Sequence, residues 1–331
     1  MPVTVPPPLS AAARPRVGLV LAGGGEVGIA WHAAVLRALE IAGWDPRGAE
    51  LCIGTSAGSW LTALLRLGIA PAHLVALACD ERIDAPDDIL SRLGDPVVVP
   101  RAPIPWPPWR PAAPALIAEA VRRHVRLEPG VAVAAALPAG RLPSDPVVVP
   151  LERVYGDRWP EQQLWLTAVD IDSGKRVVFG RSGDPTARVA QAVAASCAVP
   201  GYFTPVVIDG RRYVDGGSHS IANLDLCASA GLDLIVVSSP MSAAHPRRGP
   251  GDAAARRFIA ARLDRERRMV EAAGTPVVVL APVAADLEPM GGVARAMDRR
   301  RRRPVVDRAL ETLAARLSRG PIAERMGMLT G

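Results

Sequence analysis

Short apolar runs alternate with longer stretches of helical spacing along the first 80 residues. Val17–Ala22 (VGLVLA) has the length of a strand, and Ile29–Ile41 (IAWHAAVLRALEI) behind it repeats its apolar positions with a helical period. Leu51–Ile53 is a second strand-like run. An unusually apolar helical stretch from Ser59 to Leu67 follows it, then a further helix near Pro71–Cys79. Strand–helix–strand succession of this kind predicts a parallel sheet covered by helices. Further along, Gln163–Asp170 and Arg176–Phe179 flank the turn signal Asp172-Ser173-Gly174 and predict a strand pair. Ala115–Val125 and Ala187–Ala198 predict helices, the second ending before Pro200. Leu232–Val237 and Pro276–Leu280 predict two more buried strands. Residues 252–273 and 305–317 predict charged helices, with a break at Pro289–Gly292. The expected fold class is α/β with a mainly parallel central sheet flanked by helices.

The chain has 331 residues, 49% of them hydrophobic, enough for one large α/β domain or two small ones. One is expected, because the runs and motifs form a continuous series. Residues 1–15 are expected to be a flexible arm and 16–331 the domain. Within it, 81–162 is a variable insert and 252–331 a helical extension with one further strand. Pro96–Pro114 is too rich in proline for a regular helix. Its Trp106 and Trp109 fit either a lid whose indoles enter a membrane interface or a rigid surface loop.

Candidate chemistry gathers where strands end. Leu51–Ile53 runs into Gly54-Thr55-Ser56-Ala57-Gly58, a G-x-S-x-G pattern that predicts a tight strand-to-helix turn exposing the Ser56 hydroxyl. The helix behind it would direct backbone N–H groups at negative charge developing on an acyl group. Val17–Ala22 likewise runs into Gly23-Gly24-Gly25-Glu26-Val27-Gly28, a glycine-rich loop whose amides form an anion cradle. Gly23, Gly25 and Gly28 also satisfy G-x-G-x-x-G. A dinucleotide site wants an acid at the end of the next strand, however, and Glu50 lies at its start. No Gly-Lys-Ser/Thr follows the glycines, which excludes a P-loop.

A serine nucleophile needs a base. Among the five histidines, His32 and His73 fall in helical patterns, His124 follows two arginines and His245 lies in a proline-rich loop. His219 is the best-placed histidine, four residues after Asp215. The carboxylate is marked more clearly: Arg211-Arg212-Tyr213-Val214-Asp215-Gly216-Gly217 sets Asp215 at a strand end before two glycines. Asp170 and Asp172 fit strand-end and turn roles, and Asn223 is expected to cap a helix. At this level Asp215 and His219 both remain candidate bases.

The ordered set G-G-G-x-x-G, G-T-S-A-G and D-G-G resembles the patatin-like phospholipases. So does Ala195–Val206 (ASCAVPGYFTPV), ahead of the aspartate strand. The resemblance runs from Arg16 to about Leu226. It implies a patatin-like three-layer sandwich with Ser56 as nucleophile and Asp215 as its base. Gly23, Gly24 and Gly25 would supply oxyanion-hole amides, while Gly28, Gly54, Gly58, Gly216 and Gly217 would permit the close turns. The implied activity is hydrolysis of carboxylic esters of phospholipids or other acyl lipids through an acyl-enzyme, without metal or cofactor. Val27 departs from the family, which commonly has Arg or Lys there; a backbone oxyanion hole does not require that side chain. Two alternatives are a Ser-His-Asp esterase or acyltransferase, and a non-catalytic lipid-binding regulator of the same fold.

Charge adds little. The formal net charge is +6, and Arg299–Arg303 is a run of five arginines that fits a solvated link between helices or a contact with anionic head groups. Nothing interleaves aromatic with basic residues, so nucleic acid is not an expected partner. The expected partner is an acyl-lipid substrate, with peripheral contact to a membrane. Cys52, Cys79, Cys197 and Cys227 are dispersed and read as free thiols of a reducing compartment. With no signal-like start and no transmembrane-length apolar stretch, a cytoplasmic location is expected.

Overall fold

The structure is a computed structural model and describes residues 15–81, 88–94, 110–243 and 249–318. Its strands are β1 (Val17–Leu21), β2 (Leu51–Gly54), β3 (Gln163–Asp170), β4 (Lys175–Phe179), β5 (Val206–Ile208), β6 (Arg211–Asp215), β7 (Leu234–Ser238) and β8 (Val277–Leu280). They join one sheet through the pairings β5-β6-β3-β2-β1-β7-β8, with β4 also on β3. The ladders β3/β2, β2/β1, β1/β7 and β7/β8 are parallel; β4 and β6 run antiparallel to β3, and β5 to β6.

The helices are α1 (Gly25–Ile41), α2 (Ala57–Arg66), α3 (Pro71–Ala78), α4 (Asp88–Leu93), α5 (Pro114–Arg123), α6 (Pro129–Ala136), α7 (Asp145–Tyr155), α8 (Val189–Ser196), α9 (Pro250–Ala272), α10 (Leu287–Met290) and α11 (Arg302–Leu317). Side chains alternate across the pleat and split the core into two sides. Leu19, Leu21, Leu166 and Val236 pack with α1, α2, α3, α7, α8 and α11. Val20, Ile53, Ile235 and Val237 pack with α9 and the 3₁₀ segment Leu224–Ser229. Helices α5 and α6 cover Val169, Ile171 and Val214 at the end of β3. The mainly parallel sheet between helical layers is the expected architecture.

The register of β3 positions the site. Ala168 pairs with Val177 of β4 and Asp215 of β6, so β4 and β6 lie on opposite edges of β3. Leu166 pairs with Phe179 of β4 and Gly54 of β2, so β2 also lies opposite β4. Strands β2 and β6 therefore share one edge of β3, end to end. Because β6 is antiparallel, the carboxyl ends of the two strands face each other across Thr167.

Three local expectations are corrected. Helix α1 begins at Gly25, four residues earlier than the apolar pattern, because the glycines themselves form its first turn. The insert contains α6 and α7, which the pattern did not predict; α7 carries Pro150 and a run of valines, both poor helix signals. Asn223 gives no side-chain cap, and its backbone is left-handed at φ 54°.

Candidate active site

Ser56 occupies the turn between β2 and α2 with φ 53° and ψ −121°. A non-glycine residue held there costs roughly 1–3 kcal/mol and persists only where its surroundings enforce it. The Ser56 N–H donates to Ser196 Oγ at 2.9 Å. The Ser56 carbonyl accepts from Ser59 Oγ at 2.6 Å and from Cys197 Sγ at 3.3 Å. The flanking glycines allow backbone to meet backbone: a Cβ on Gly58 would lie 1.9 Å from the Leu21 carbonyl oxygen, and one on Gly54 2.5 Å from Ser59 Cα.

Asp215 closes β6 beside this turn. Its N–H donates to the Ala198 carbonyl at 2.9 Å, and its Oδ1 accepts from the Gly217 N–H at 2.7 Å. The Ser56 side chain lies close enough to the carboxyl to favour its ionised form. Ser56 and Asp215 are only 7% and 6% exposed. Burial pushes the Asp215 pKa up to about 6, against the opposing pull of the neighbouring Ser56 side chain and the Gly217 N–H. Gly216 fits tightly on β3, where a Cβ would lie 2.5 Å from the Thr167 carbonyl oxygen; one on Gly217 would lie 3.0 Å from Asp215 Oδ1.

The glycine loop differs from expectation at one residue. The Gly23 N–H donates to the Ile221 carbonyl at 2.9 Å, tying the loop to the segment behind Asp215, so that amide is not free for an oxyanion. Gly24 and Gly25, at the N-cap and first position of α1, have N–H groups with no backbone partner among the described residues. Gly28 donates its N–H to the Gly24 carbonyl at 2.9 Å and lies against Ala57. The Val27 side chain is buried in the core, so it presents nothing to the site. A cation arrives from elsewhere: Arg302, at the start of α11, pairs with Glu26.

Gly25, Ser56 and Ala57 line one cavity of about 1060 Å³ including its open mouth. Its remaining wall is mostly apolar, with Trp60, Leu61, Leu64, Leu74, Leu77 and Phe203.

Behind the site lies a polar knot that sequence reasoning missed. Thr55 Oγ1 and Thr167 Oγ1 are 2.8 Å apart, and Asn223 Nδ2 donates to both, at 3.1 and 3.2 Å. Asn223 Nδ2 also donates to the Ser220 carbonyl at 2.6 Å, while Arg176 holds Asn223 Oδ1 at 3.1 Å. Strands β2 and β3 are thereby fastened to the loop after Asp215. Ser196, Ser59 and Cys197 were missed too. Ser196 and Cys197 were signalled only by the small residues of Ala187–Ala198 and the family-like stretch from Ala195, and Ser59 by nothing local.

The histidines stand away from this arrangement. His219 lines a second cavity with Glu128 and Arg262, and Ser56 does not border that cavity. Burial and the nearby Arg176 and Arg262 lower its pKa. His32 is buried, with Nε2 donating to the Ala22 carbonyl and Nδ1 accepting from Ser238 Oγ, both at 2.7 Å; burial lowers its pKa to about 4. His73 is in α3 and His124 ends α5, while His245 lies outside the described residues. Asp170 accepts from the N–H groups of Asp172 and Ser173 and so shapes a turn. Each arginine from 299 to 303 pairs with an acid of this chain: Arg299 with Asp80, Arg300 and Arg301 with Asp298, Arg302 with Glu26 and Asp80, and Arg303 with Glu81 and Asp307. The run thus acts as a link within the fold. Trp106 and Trp109 lie outside the described residues. Among the described residues no cluster of His, Cys, Asp or Glu fits a metal ion, and no helix is long and apolar enough to cross a membrane.

The family model for patatin-like phospholipases matches residues 19–227. Solved structures similar to this chain include VipD from Legionella pneumophila, at 17% identity over 91% of this chain and 67% of that one, with a TM-score of 0.40. The type III effector ExoU aligns at 17% identity over 95% of this chain and 54% of its own, TM-score 0.38. ExoU in complex with SpcU, from the type III secretion system of Pseudomonas aeruginosa, aligns at 22% identity over 91% and 52%, TM-score 0.33. The chain spans about half the length of ExoU.

Proposed function

The chain belongs to the patatin-like phospholipase family, and from that membership we propose that it is a lipid acyl hydrolase working through Ser56 and Asp215. The observation that carries the proposal is a serine on a strained elbow beside a buried carboxyl, at the wall of an apolar cavity. The long apolar wall suits an acyl chain, and the ester carbonyl would sit where the chain meets Ser56.

In the first step Ser56 Oγ forms a bond to the ester carbonyl carbon as its proton passes to Asp215. The carbonyl π electrons move to oxygen, and the resulting oxyanion accepts from the N–H groups of Gly24 and Gly25. Collapse of the tetrahedral species breaks the ester C–O bond, and the leaving alkoxide takes the proton from Asp215. Water then attacks the acyl-enzyme with Asp215 again as base, freeing the fatty acid and restoring Ser56. Asp215 must be ionised to start the cycle, so the raised pKa places the acid limb of activity near pH 6.

A triad through His219 has no geometric support, because that side chain borders the other cavity. We further propose an acyl-lipid substrate met at a membrane surface by peripheral contact. Four free cysteines support a reducing, intracellular compartment. Hydrolysis of p-nitrophenyl butyrate and of phosphatidylcholine vesicles, measured for the purified protein and for Ser56→Ala, tests the proposal. Fatty acid release that disappears in the variant is expected; release at the parent rate in Ser56→Ala would refute it.

A further inference from the structure

The first turn of α1 is held from outside by a segment far along the chain. The Val27 N–H donates to the Ala296 carbonyl at 3.0 Å. Gly25, at φ 61°, lies so close to that segment that a Cβ would sit 2.8 Å from Met297 Sδ and 2.9 Å from the Ala296 carbonyl oxygen. Between these two contacts, Glu26 pairs with Arg302, and both side chains are about nine-tenths buried. Arg302 also reaches Asp80 at 3.2 Å, and Asp80 in turn takes Arg299. Glu26, Met297 and Arg302 line the same cavity as Ser56. Ala296–Arg302 lies outside the residues that match the family.

A buried ion pair is a poor way to glue two helices, because desolvation offsets most of its Coulomb attraction. What such a pair does supply is a fixed geometry. From these contacts we infer that Arg302 is a positioning residue for the glycine loop: acting through Glu26, it fixes the orientation of the Gly24 and Gly25 amides that receive the oxyanion. The inference rests on the proposed role of Ser56. Arg302 touches neither the nucleophile nor its base, so its effect appears in turnover rather than in binding. Donors displaced by a fraction of an ångström stabilise the transition state less while the ground-state acyl chain still fills the cavity.

The test uses the full chain and p-nitrophenyl butyrate, with kcat, KM and melting temperature measured for Arg302→Met, Arg302→Lys, Glu26→Gln and the double variant Glu26→Gln/Arg302→Met. Arg303→Met is the control, since it removes an exposed arginine of the same helix that pairs with Glu81 and Asp307. The expected result for Arg302→Met is a roughly 10- to 100-fold loss in kcat with KM within about threefold of the parent. Arg302→Lys is expected to recover most of that loss. The double variant should be no slower than the slower single variant, and Arg303→Met should turn over normally. If Arg302→Met does not fold, Glu26→Gln carries the test alone, because it keeps the shape of the side chain and removes its charge. A lowered melting temperature with kcat unchanged would assign the pair to helix docking and overturn the inference, as would an equal kcat loss in Arg303→Met. Parent-like turnover in Ser56→Ala would instead refute the reading of the site, a result distinct from either.

Discussion

Replacing Asp215 with Asn should make the protein more stable and nearly inactive, and the gain in stability should depend on pH. The carboxyl is raised from 3.8 to about 6 in the fold, mainly by burial. A folded-state pKa above the unfolded value means that the fold holds the proton more tightly. Below about pH 3.8 both states are protonated and the residue costs nothing. As pH rises through 6 the folded carboxyl must ionise in a dry site, and stability is lost. A shift of roughly two pKa units corresponds to about 3 kcal/mol. Asn keeps the shape, can still accept from the Gly217 N–H through its Oδ1, and carries no charge to desolvate. At pH 8 the variant should therefore gain up to about 3 kcal/mol, equivalent to a melting shift on the order of 5 °C for a domain of this size. At pH 4 the gain should shrink to about 0.5 kcal/mol. Urea denaturation at pH 4, 6 and 8 measures it. The same variant should lose about three orders of magnitude in kcat on p-nitrophenyl butyrate. An equal or lower stability at pH 8, or a difference that ignores pH, would refute the burial argument.

Three other substitutions test separate parts of the site. Ser56→Gly removes the strain of φ 53° and should stabilise the fold by about 1 kcal/mol while abolishing hydrolysis; the melting curve and the ester assay read the two effects. Asn223→Ala cuts the bonds to Thr55, Thr167 and Ser220, and puts alanine where φ is 54°. A loss of about 2 kcal/mol is expected in denaturant titration. Leu64→Trp adds bulk to the apolar wall of the cavity. It should lower kcat/KM for a palmitoyl ester by roughly tenfold relative to the butyryl ester, the scale of a few lost methylene contacts.

The parts of the site that were legible in the sequence are those where sterics leave one residue type. Gly58 must let a helix pass against the Leu21 carbonyl, and Gly216 must lie on the Thr167 backbone; no other residue fits either gap. Such positions mark their own neighbourhoods, which is how Ser56 and Asp215 could be picked out. Mutual contacts between ordinary residues leave no such mark. Ser196, Ser59 and Cys197 hold the elbow with common side chains spread over about 140 positions. The Asn223 knot joins four segments by bonds that no local pattern encodes. The commitment of the Gly23 N–H to Ile221 likewise depends on where a distant loop lands. Strand existence was readable from apolar runs, but the end-to-end placement of β2 and β6 on one edge of β3 follows from register, which a single sequence does not state. The arginine run from 299 to 303 had two readings because Asp80, Glu81 and Glu26, which pair with Arg299, Arg302 and Arg303, are more than 200 positions away.

The central claim is that Asp215 activates the Ser56 hydroxyl directly. A fluorophosphonate probe, timed by mass spectrometry and mapped to its peptide, tests that claim in one measurement on the parent and on Asp215→Asn. The account predicts a single adduct on Ser56, formed roughly a thousandfold more slowly in the variant. An adduct on any other residue, or equal labelling rates in the two proteins, would contradict it.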